Sequence, residues 1–268
     1  MPKMPTSDLP FTCALVTGGG GGIGKALSSY LISKGIKVLI AGRTEATLQS
    51  TAREIGAADY YVLDTGNTGT IPEFFSRVTS EHPELDCLIN NAGVQRPLEI
   101  HKTPAQEFLQ KADQEIDINV RGPMHLTLAL LEHFKTRPTA AIINVSSVLG
   151  FIPFSVINPV YNGTKAWLHA WTVNLRTQIE WAGLGERIKV IEIAPPSVET
   201  NLHRERENPD DNKKCNNPSS LSIEEFMSEV SRQLEGGGEM ISAGPSSRFV
   251  EKWYSAYGEA YNKAVKRT

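Results

Sequence analysis

The stretch TGGGGGIGKAL, residues 17–27, contains six glycines within eleven residues. A flexible linker is one interpretation of such a run, but the flanking residues argue against it. The preceding segment FTCALVT is short, apolar and β-prone, and the following segment IGKALSSYLISKG carries apolar residues at helical spacing. A second strand-like segment, IKVLIAG, comes next. This order predicts a βαβ unit, in which the glycines let a phosphate approach the main chain and the helix N terminus binds it.

The composition is that of an ordinary globular protein. The chain has 268 residues, of which 40% are hydrophobic and 21% are charged, and its net charge is −3. This length suits one large α/β domain or two small ones, and the charge argues against nucleic-acid and membrane-surface binding. No apolar run is long enough to span a membrane. Residues 1–10 hold three prolines and no apolar core of a secretory signal, so we expect a flexible arm there.

The three cysteines are scattered through the chain. Cys13 and Cys87 lie within strand-like segments, and Cys215 lies in a polar segment. Buried, reduced thiols are therefore expected for the first two. No Cys/His cluster has the spacing of metal ligands, so we expect a cytoplasmic protein without a metal.

Strand-like and helix-like segments alternate along the remainder of the chain. Further strands are predicted over residues 59–64, 85–93, 140–147 and 187–195, and helices over residues 45–55, 71–80, 104–137, 161–182 and 223–234. Several of the strands are continuous apolar runs, which is typical of parallel strands covered on both faces. We therefore predict an α/β fold with a single doubly wound parallel sheet of the Rossmann type and helices on both faces. Residues 11–268 are expected to form one domain, with a mobile lid around residues 200–235, where polar and helix-breaking residues are concentrated.

Four motifs give the chain its resemblance to the short-chain dehydrogenases/reductases. TGxxxGxG appears at residues 17–24, NNAG at residues 90–93, an Asn at position 119, and YxxxK at Tyr161 and Lys165 with a Ser ahead of it. Their order and spacing agree with the family over about residues 12–200, which is most of the chain. The resemblance implies a nicotinamide-dependent oxidoreductase, and the C-terminal third of the chain carries almost none of it.

Tyr161 and Lys165 are expected to handle the proton of the reaction. Their spacing of four residues puts both side chains on one face of a helix. A cation nearby is expected to lower the pKa of Tyr161 from the value of about 10 of a free phenol, which makes the pair a general acid/base. The resemblance adds Ser147 as a hydrogen-bonding partner of the substrate oxygen and Asn119 as part of a proton relay at a helix kink. A chance surface Tyr–Lys pair and a helix-interior Asn bonded to a carbonyl group are the structural alternatives.

Two serines compete for the serine role, since both end a predicted strand. The family places its serine about a dozen residues before the tyrosine, and here Ser147 stands 14 and Ser146 stands 15 residues before Tyr161. The segment SVLG from Ser147 onward also resembles the family sequence. We therefore predict Ser147 as the catalytic serine and Ser146 as a structural hydroxyl group.

The end of the second predicted strand indicates which cofactor binds. An acidic residue there would bind the ribose 2′-OH and repel a 2′-phosphate, but the chain has Ala41, Gly42 and then Arg43. A guanidinium suits a phosphate group, so we predict NADP(H); a solvent-exposed loop cation is the alternative interpretation of Arg43. The resemblance implies a cofactor-binding set that also includes Tyr161 and Lys165. Its other members are Thr17, Gly18, Gly20, Gly22, Ile23, Gly24, Arg43, Asp64, Asn91, Ala92, Gly93, Pro195, Val198 and Thr200.

These residues predict an NADP(H)-dependent oxidoreductase that interconverts a carbonyl group and an alcohol on a small to medium organic substrate. The loop residues Phe151, Ile152, Phe154 and Ile157 favour a partly apolar substrate, although packing explains them nearly as well. A non-catalytic NADP(H)-sensing or interaction protein on the same fold is the alternative.

Two predicted helices bear on assembly. The helices over residues 104–137 and 161–182 carry apolar residues on more than one side, and a helix that is apolar nearly all round is buried nearly all round. We therefore predict a homodimer or homotetramer, unless the C-terminal segment of the same chain covers these surfaces.

Overall fold

The computed structural model describes residues 9–266, so residues 1–8 of the predicted arm lie outside the described residues. Leu9, which falls within that predicted arm, is buried in the core with only 8% of its surface exposed. The strands are β1 (Cys13–Thr17), β2 (Lys37–Gly42), β3 (Asp59–Val62), β4 (Cys87–Asn90), β5 (Ala140–Val145), β6 (Ile188–Ala194) and β7 (Met240–Ser242). The helices are α1 (Gly22–Ser33), α2 (Glu45–Ile55), α3 (Ile71–Glu81), α4 (Ala105–Ile116), α5 (Gly122–Lys135), α6 (Pro159–Trp181), α7 (Ile223–Glu235) and α8 (Ser247–Val265).

The strands form one parallel sheet in the order β3-β2-β1-β4-β5-β6-β7. The strand order reverses between β1 and β4, and ligands bind at such a switch point, outside the carboxyl ends of the strands. The predicted doubly wound parallel sheet is confirmed.

Alternate side chains of each strand enter two separate cores, one on each face of the sheet. Along β1, Ala14 and Val16 pack into the core beneath α1, α2 and α7, whereas Cys13 and Leu15 pack into the core beneath α3, α5 and α6. All four side chains are fully buried. Both faces of the sheet are therefore covered, which explains why its strands are continuous apolar runs.

The helical region predicted over residues 104–137 is two helices joined by a wide turn. A π-helical turn, Asp117–Arg121, separates α4 from α5, and Pro123 lies in the first turn of α5. Proline has no N–H to offer to the carbonyl groups of the preceding turn, which favours an interruption of the regular helix at this point. Asn119 lies within the π turn, so the interruption of the helix occurs at the residue assigned to the relay.

The C-terminal third contains one strand that the sequence did not reveal. The three-residue strand β7 extends the sheet beyond β6. Helix α8 packs against α6, where the Tyr261 hydroxyl lies 2.8 Å from that of Thr177 and the Trp253 ring contacts the His169 ring at a centroid distance of 4.5 Å. The chain's own C terminus thus covers part of α6, and a homodimer or homotetramer stays a prediction. Within residues 9–266, no helix combines the length and the apolarity needed to cross a bilayer.

Candidate active site

A cavity of about 880 Å³ opens at the carboxyl ends of the central strands. The Gly-rich turn after β1 lines one part of it, and the N-terminal turn of α6 lines another. Most of the predicted site residues lie on its walls: Gly18, Gly20, Gly22, Ile23, Arg43, Asp64, Asn91, Ala92, Gly93, Ser147, Tyr161, Lys165, Pro195, Val198 and Thr200. Residues that are far apart in the sequence therefore come together in one cavity.

The Gly-rich turn leaves room for a phosphate group close to the main chain. Gly18 and Gly22 have φ angles of 66° and 51°, which glycine adopts without strain. A Cβ atom at Gly21 would meet nothing within 4 Å, so the main chain there borders open space. Helix α1 begins at Gly22, and the first N–H groups of a helix attract anions. The turn therefore fits the pyrophosphate of a dinucleotide.

Three predicted site residues lie behind the cavity wall, not on it. Thr17 is buried, and its hydroxyl oxygen accepts hydrogen bonds from the backbone N–H groups of Asn91 and Ala92 at 3.0 and 3.1 Å. It thereby fastens the end of β4 to the end of β1. At Gly24, a Cβ atom would lie 2.3 Å from the carbonyl oxygen of Gly18, so only glycine lets helix α1 pack this closely. Asn119 is the third of these residues.

Asn119 supports the cavity wall through its side chain. Its Oδ1 accepts a hydrogen bond from the backbone N–H of Val94 at 3.0 Å, and its Nδ2 donates to the Val94 carbonyl at 2.8 Å. Nδ2 also lies 3.2 Å from the hydroxyl of Thr164, next to Lys165 in α6. The amide therefore links the β4 loop to α6, as well as lying at the π turn.

The two candidate serines have different partners. Both line the cavity, but the Ser146 hydroxyl donates a 2.5 Å hydrogen bond to Glu192, which also binds His169 at 2.9 Å. The Ser147 hydroxyl accepts a 3.1 Å hydrogen bond from the backbone N–H of Leu149 and keeps its own proton for another partner. This arrangement supports Ser147 as the serine that reaches a substrate.

Lys165 is held at the end of β5. Its Nζ donates a 2.8 Å hydrogen bond to the carbonyl oxygen of Val145 and lies 5.5 Å from the centre of the Tyr161 ring. The lysine is 4% exposed, and burial lowers its pKa to about 8, while the negative charges of Glu115 and Glu192 act in the opposite direction. At neutral pH Lys165 is therefore mostly protonated, but it can release its proton at mildly alkaline pH.

The pKa of Tyr161 is raised, whereas the Tyr–Lys spacing predicts that it is lowered. Burial raises the pKa of the Tyr161 phenol well above its usual value, and the charge of Glu115 raises it further. The neighbouring Ser147 hydroxyl and the charge of Arg206 lower it, but by less than burial raises it. Desolvation thus outweighs the Ser147 hydroxyl and the charge of Arg206 in this buried position, and Tyr161 keeps its proton.

Sequence reasoning missed a polar wall of the cavity. Arg206, in the segment after β6, donates hydrogen bonds to Gln95 at 2.9 Å, to Asn158 at 2.6 Å and to Asp211 at 2.6 Å. Gln95, Arg206 and Asp211 line the cavity. The contact with Gln95 joins parts of the chain that are 111 residues apart, and the contact with Asn158 joins parts that are 48 apart, so no local motif could have indicated them.

The apolar loop before α6 contributes less to the cavity than predicted. Phe154 lines the cavity together with Leu202 and Phe249. Phe151 instead packs against His169, with 4.2 Å between the ring centroids, and against Trp253. The prediction of a partly apolar wall therefore rests on Phe154 and on residues from the C-terminal third.

In the described part of the chain, one group of side chains has ligand atoms close enough together to share a metal ion. It consists of Asp59, Glu81 and His82. The Lys37 ammonium lies 2.9 Å from Nδ1 of His82. Because an ammonium can only donate, Nδ1 accepts and the proton of the neutral ring lies on Nε2. Arg77 already donates to Glu81 at 2.9 Å, so this group gives no support to a metal site.

Comparisons with known proteins identify the family of the chain. The family model described as short chain dehydrogenase matches residues 12–211. The chain is 35% identical over 190 residues to the uncharacterized oxidoreductase DltE of Bacillus subtilis. The aligned region covers 71% of this chain and 73% of that protein. It is 33% identical over 186 residues to the NADP-dependent 3-hydroxy acid dehydrogenase YdfG of Escherichia coli K12, covering 69% and 71% of the two chains.

The fold matches solved structures as well. A short-chain dehydrogenase from Sphingobium yanoikuyae, solved in complex with NADPH, superposes with a TM-score of 0.79 at 20% identity and covers 96% of both chains. The chain belongs to the short-chain dehydrogenase family and is an oxidoreductase of that family.

Proposed function

We propose that the protein is an NADP(H)-dependent oxidoreductase that interconverts a carbonyl group and an alcohol on a small to medium, partly apolar organic substrate. The observation that carries the proposal is the placement of Ser147, Tyr161 and Lys165 on the cavity that the Gly-rich turn also lines. A proton donor and a nucleotide cradle that share one cavity are what carbonyl reduction by a nicotinamide requires.

The preference for NADP(H) rests on the end of β2. The strand ends at Gly42, and Gly42, Arg43 and Thr44 border the cavity with no carboxylate among them. A guanidinium at this place suits a 2′-phosphate, whereas an acidic residue would repel it. YdfG, whose name states NADP dependence, supports the same assignment. Asp64, at the next strand end, is available to the adenine side.

The bound nicotinamide would supply or accept the hydride, and the residues of this chain handle the proton. In the reduction direction, the carbonyl oxygen of the substrate accepts hydrogen bonds from the hydroxyl groups of Ser147 and Tyr161. The Tyr161 proton then moves to that oxygen as the alcohol forms. Because burial raises the pKa of Tyr161, the phenol is protonated at neutral pH and ready to donate. Lys165, whose pKa is lowered to about 8, is a suitable source for reprotonating the phenolate.

The walls of the cavity favour a substrate with an apolar part. Phe154, Leu202 and Phe249 offer apolar contact, and the Arg206 network offers a polar edge. The non-catalytic alternative is disfavoured, because a protein that only senses NADP(H) needs neither Ser147 nor the buried Tyr161–Lys165 pair. A cytoplasmic location remains a prediction from the composition.

A substrate panel tests the proposal. Ketones, aldehydes and hydroxy acids would be offered with NADPH or NADP⁺, and turnover would be followed by the absorbance of NADPH. We expect turnover with at least one compound and a lower rate with the 2′-unphosphorylated cofactors. Tight NADPH binding without turnover of any carbonyl or alcohol would favour the sensing alternative.

A further inference from the structure

Arg206 carries hydrogen-bond donors that the fold does not use. An arginine has five N–H donors, and three of those of Arg206 bind Gln95, Asn158 and Asp211. The Nε atom is buried and has no partner within the described residues. The guanidinium is therefore incompletely paired, although the residue lies on the wall of the cavity.

Gln95 adds further donors to the same wall. It is almost fully buried and borders the cavity. Because an arginine can only donate, the amide turns its Oε1 toward Arg206, at 2.9 Å from Nη2. The amide nitrogen, Nε2, carries two N–H donors of its own. This part of the wall therefore suits a ligand group that accepts hydrogen bonds.

The same hydrogen bonds place Arg206 beside the proton-handling residues. Its Nη2 donates to Oδ1 of Asn158 at 2.6 Å, and Asn158 immediately precedes α6. Tyr161 lies in the first turn of α6, three residues further on, and lines the same cavity. Asn158 is fully buried and also donates to the carbonyl group of Arg96 at 2.7 Å, which fixes this anchor. A substrate whose carbonyl group lies at Tyr161 can therefore present a second polar group to Arg206.

Positive charge is in excess at this end of the cavity. Away from the ends of β2 and β3, the charged residues that line the cavity within the described part of the chain are Lys165, Arg204, Arg206 and Asp211. Asp211 is shared, because its second carboxylate oxygen binds Nδ1 of His203. Burial lowers the pKa of His203, so its ring is neutral at pH 7 and adds no charge. The three cations and one anion favour a ligand with an anionic group.

We propose that the protein interconverts an oxo acid and the corresponding hydroxy acid, and that Arg206 is the specificity-determining residue that binds the carboxylate group. A hydrogen bond from a guanidinium to a carboxylate is about twice as strong as one between neutral groups. Asp211 already binds Arg206 as a carboxylate does, and it competes with the substrate for the positive charge. The assignment of the substrate class rests on the proposed function, but carboxylate binding at Arg206 can be measured without turnover.

The test is a comparison of hexanoate with hexanamide, which differ in the charged group and contain no ketone or aldehyde group. Their dissociation constants are measured by ligand-detected NMR with NADP⁺ present, which keeps the probes out of the Gly-rich turn. We expect wild type to bind hexanoate about tenfold or more tightly than hexanamide, as for a hydrogen bond to a charged group. Arg206→Met, which removes the donors and keeps the apolar stem, should lose most of this preference. Equal binding of the two probes by wild type, or an unchanged preference in Arg206→Met, would overturn the proposal.

Asp211→Asn covers the case in which Arg206→Met does not fold. The variant removes the competing anion and keeps the shape of the side chain. Hexanoate should then bind about fivefold or more tightly than to wild type, as for the loss of a like charge a few ångströms away, and hexanamide should bind as before. A purely structural role of Arg206 does not predict this gain, and unchanged hexanoate binding would contradict the proposal.

Lys214→Met is the matched control, because Lys214 lies in the same segment but pairs with Glu225 of α7. This variant should bind hexanoate as wild type does. Loss of binding equal to that in Arg206→Met would show that any cation of the segment suffices, and it would overturn the role of Arg206.

Kinetics with matched pairs of an oxo acid and its methyl ester separate this proposal from the proposed function. We expect a higher kcat/KM for the acid, and we expect Arg206→Met to remove the difference mainly through KM. Equal turnover of acid and ester in wild type would overturn the carboxylate preference and leave the oxidoreductase function standing. Hexanoate binding that depends on Arg206, without turnover of any carbonyl compound or alcohol, would support the carboxylate site and contradict the proposed function.

Discussion

The ammonium group of Lys165 donates a 2.8 Å hydrogen bond to the carbonyl oxygen of Val145, the last residue of β5. This bond joins α6 to the carboxyl end of a central strand, where ligands of parallel sheets bind. It also holds the cation one helical turn from Tyr161. The strand end and the first turns of α6 thus form one rigid frame for the proton-handling residues.

The buried lysine predicts a specific pH dependence of stability. The pKa of Lys165 falls from 10.5 to about 8 on folding, mainly through burial. A lysine with a lowered pKa destabilises the fold wherever it is charged in the unfolded chain, and the penalty disappears as pH rises from 8 to above 10. Relative to Lys165→Met, wild type should gain on the order of 3 kcal/mol over this range, at about 1.36 kcal/mol per pKa unit. Urea unfolding at pH 7 and pH 10 checks this, and a constant difference between the two proteins would rule it out.

The adjacent serines provide a paired test of the site. Ser147→Ala should lower kcat strongly, by roughly 10²-fold or more, because a hydrogen bond to the reacting oxygen is lost. Ser146→Ala should lower stability and affect kcat less, because the buried Glu192 loses one hydrogen-bond partner. Steady-state kinetics and thermal melts of both variants decide between the two roles. A larger kcat loss in Ser146→Ala would reverse the assignment.

Arg43 tests the choice of cofactor. Arg43→Ala should raise the dissociation constant of NADPH and leave that of NADH little changed, because only NADPH carries the 2′-phosphate. Fluorescence titration with both cofactors measures this directly. Equal weakening of NADPH and NADH binding would show that Arg43 does not contact the 2′-phosphate.

The segment over residues 208–222 is expected to move during the reaction. It is polar and rich in turns, yet Asn212 anchors it by donating hydrogen bonds to the carbonyl groups of Val198 and Thr200 at 2.9 and 3.1 Å. Those two residues line the cavity, so a ligand bound in the cavity should change the mobility of the segment. Hydrogen exchange should be fast in the free protein and slower with NADPH present. Slow exchange that NADPH does not change would argue against a lid.

The parts of the site that could be predicted are those encoded locally. Tyr161 and Lys165 lie one helical turn apart, and the Gly-rich turn lies between one strand and one helix, so short motifs suffice to place them. Arg206 and Glu115 could not be predicted. Arg206 meets Gln95 only through tertiary contacts. Glu115 lies among polar residues of α4, which suggest an exposed position, yet it is fully buried.

The same reasoning explains why the predicted direction of the Tyr161 pKa shift is wrong. The spacing to Lys165 correctly indicates a nearby cation, but a sequence does not show how completely a side chain is removed from water. Burial reverses the expected shift of the Tyr161 pKa. The short strand β7 was missed for a related reason, since three residues carry too little pattern to be recognised apart from their pairing with β6.

The measurement that tests the central claim most directly is the turnover of Tyr161→Phe, compared with its binding of NADPH. The variant removes the hydroxyl group that donates the proton and keeps the ring that packs in the core. Loss of a positioned general acid typically costs 10²–10⁴-fold in rate, so turnover on the best substrate should fall by about that factor. The NADPH dissociation constant should change little, because the Gly-rich turn and Arg43 remain. Turnover close to that of wild type would contradict the assignment of Tyr161 as the proton donor.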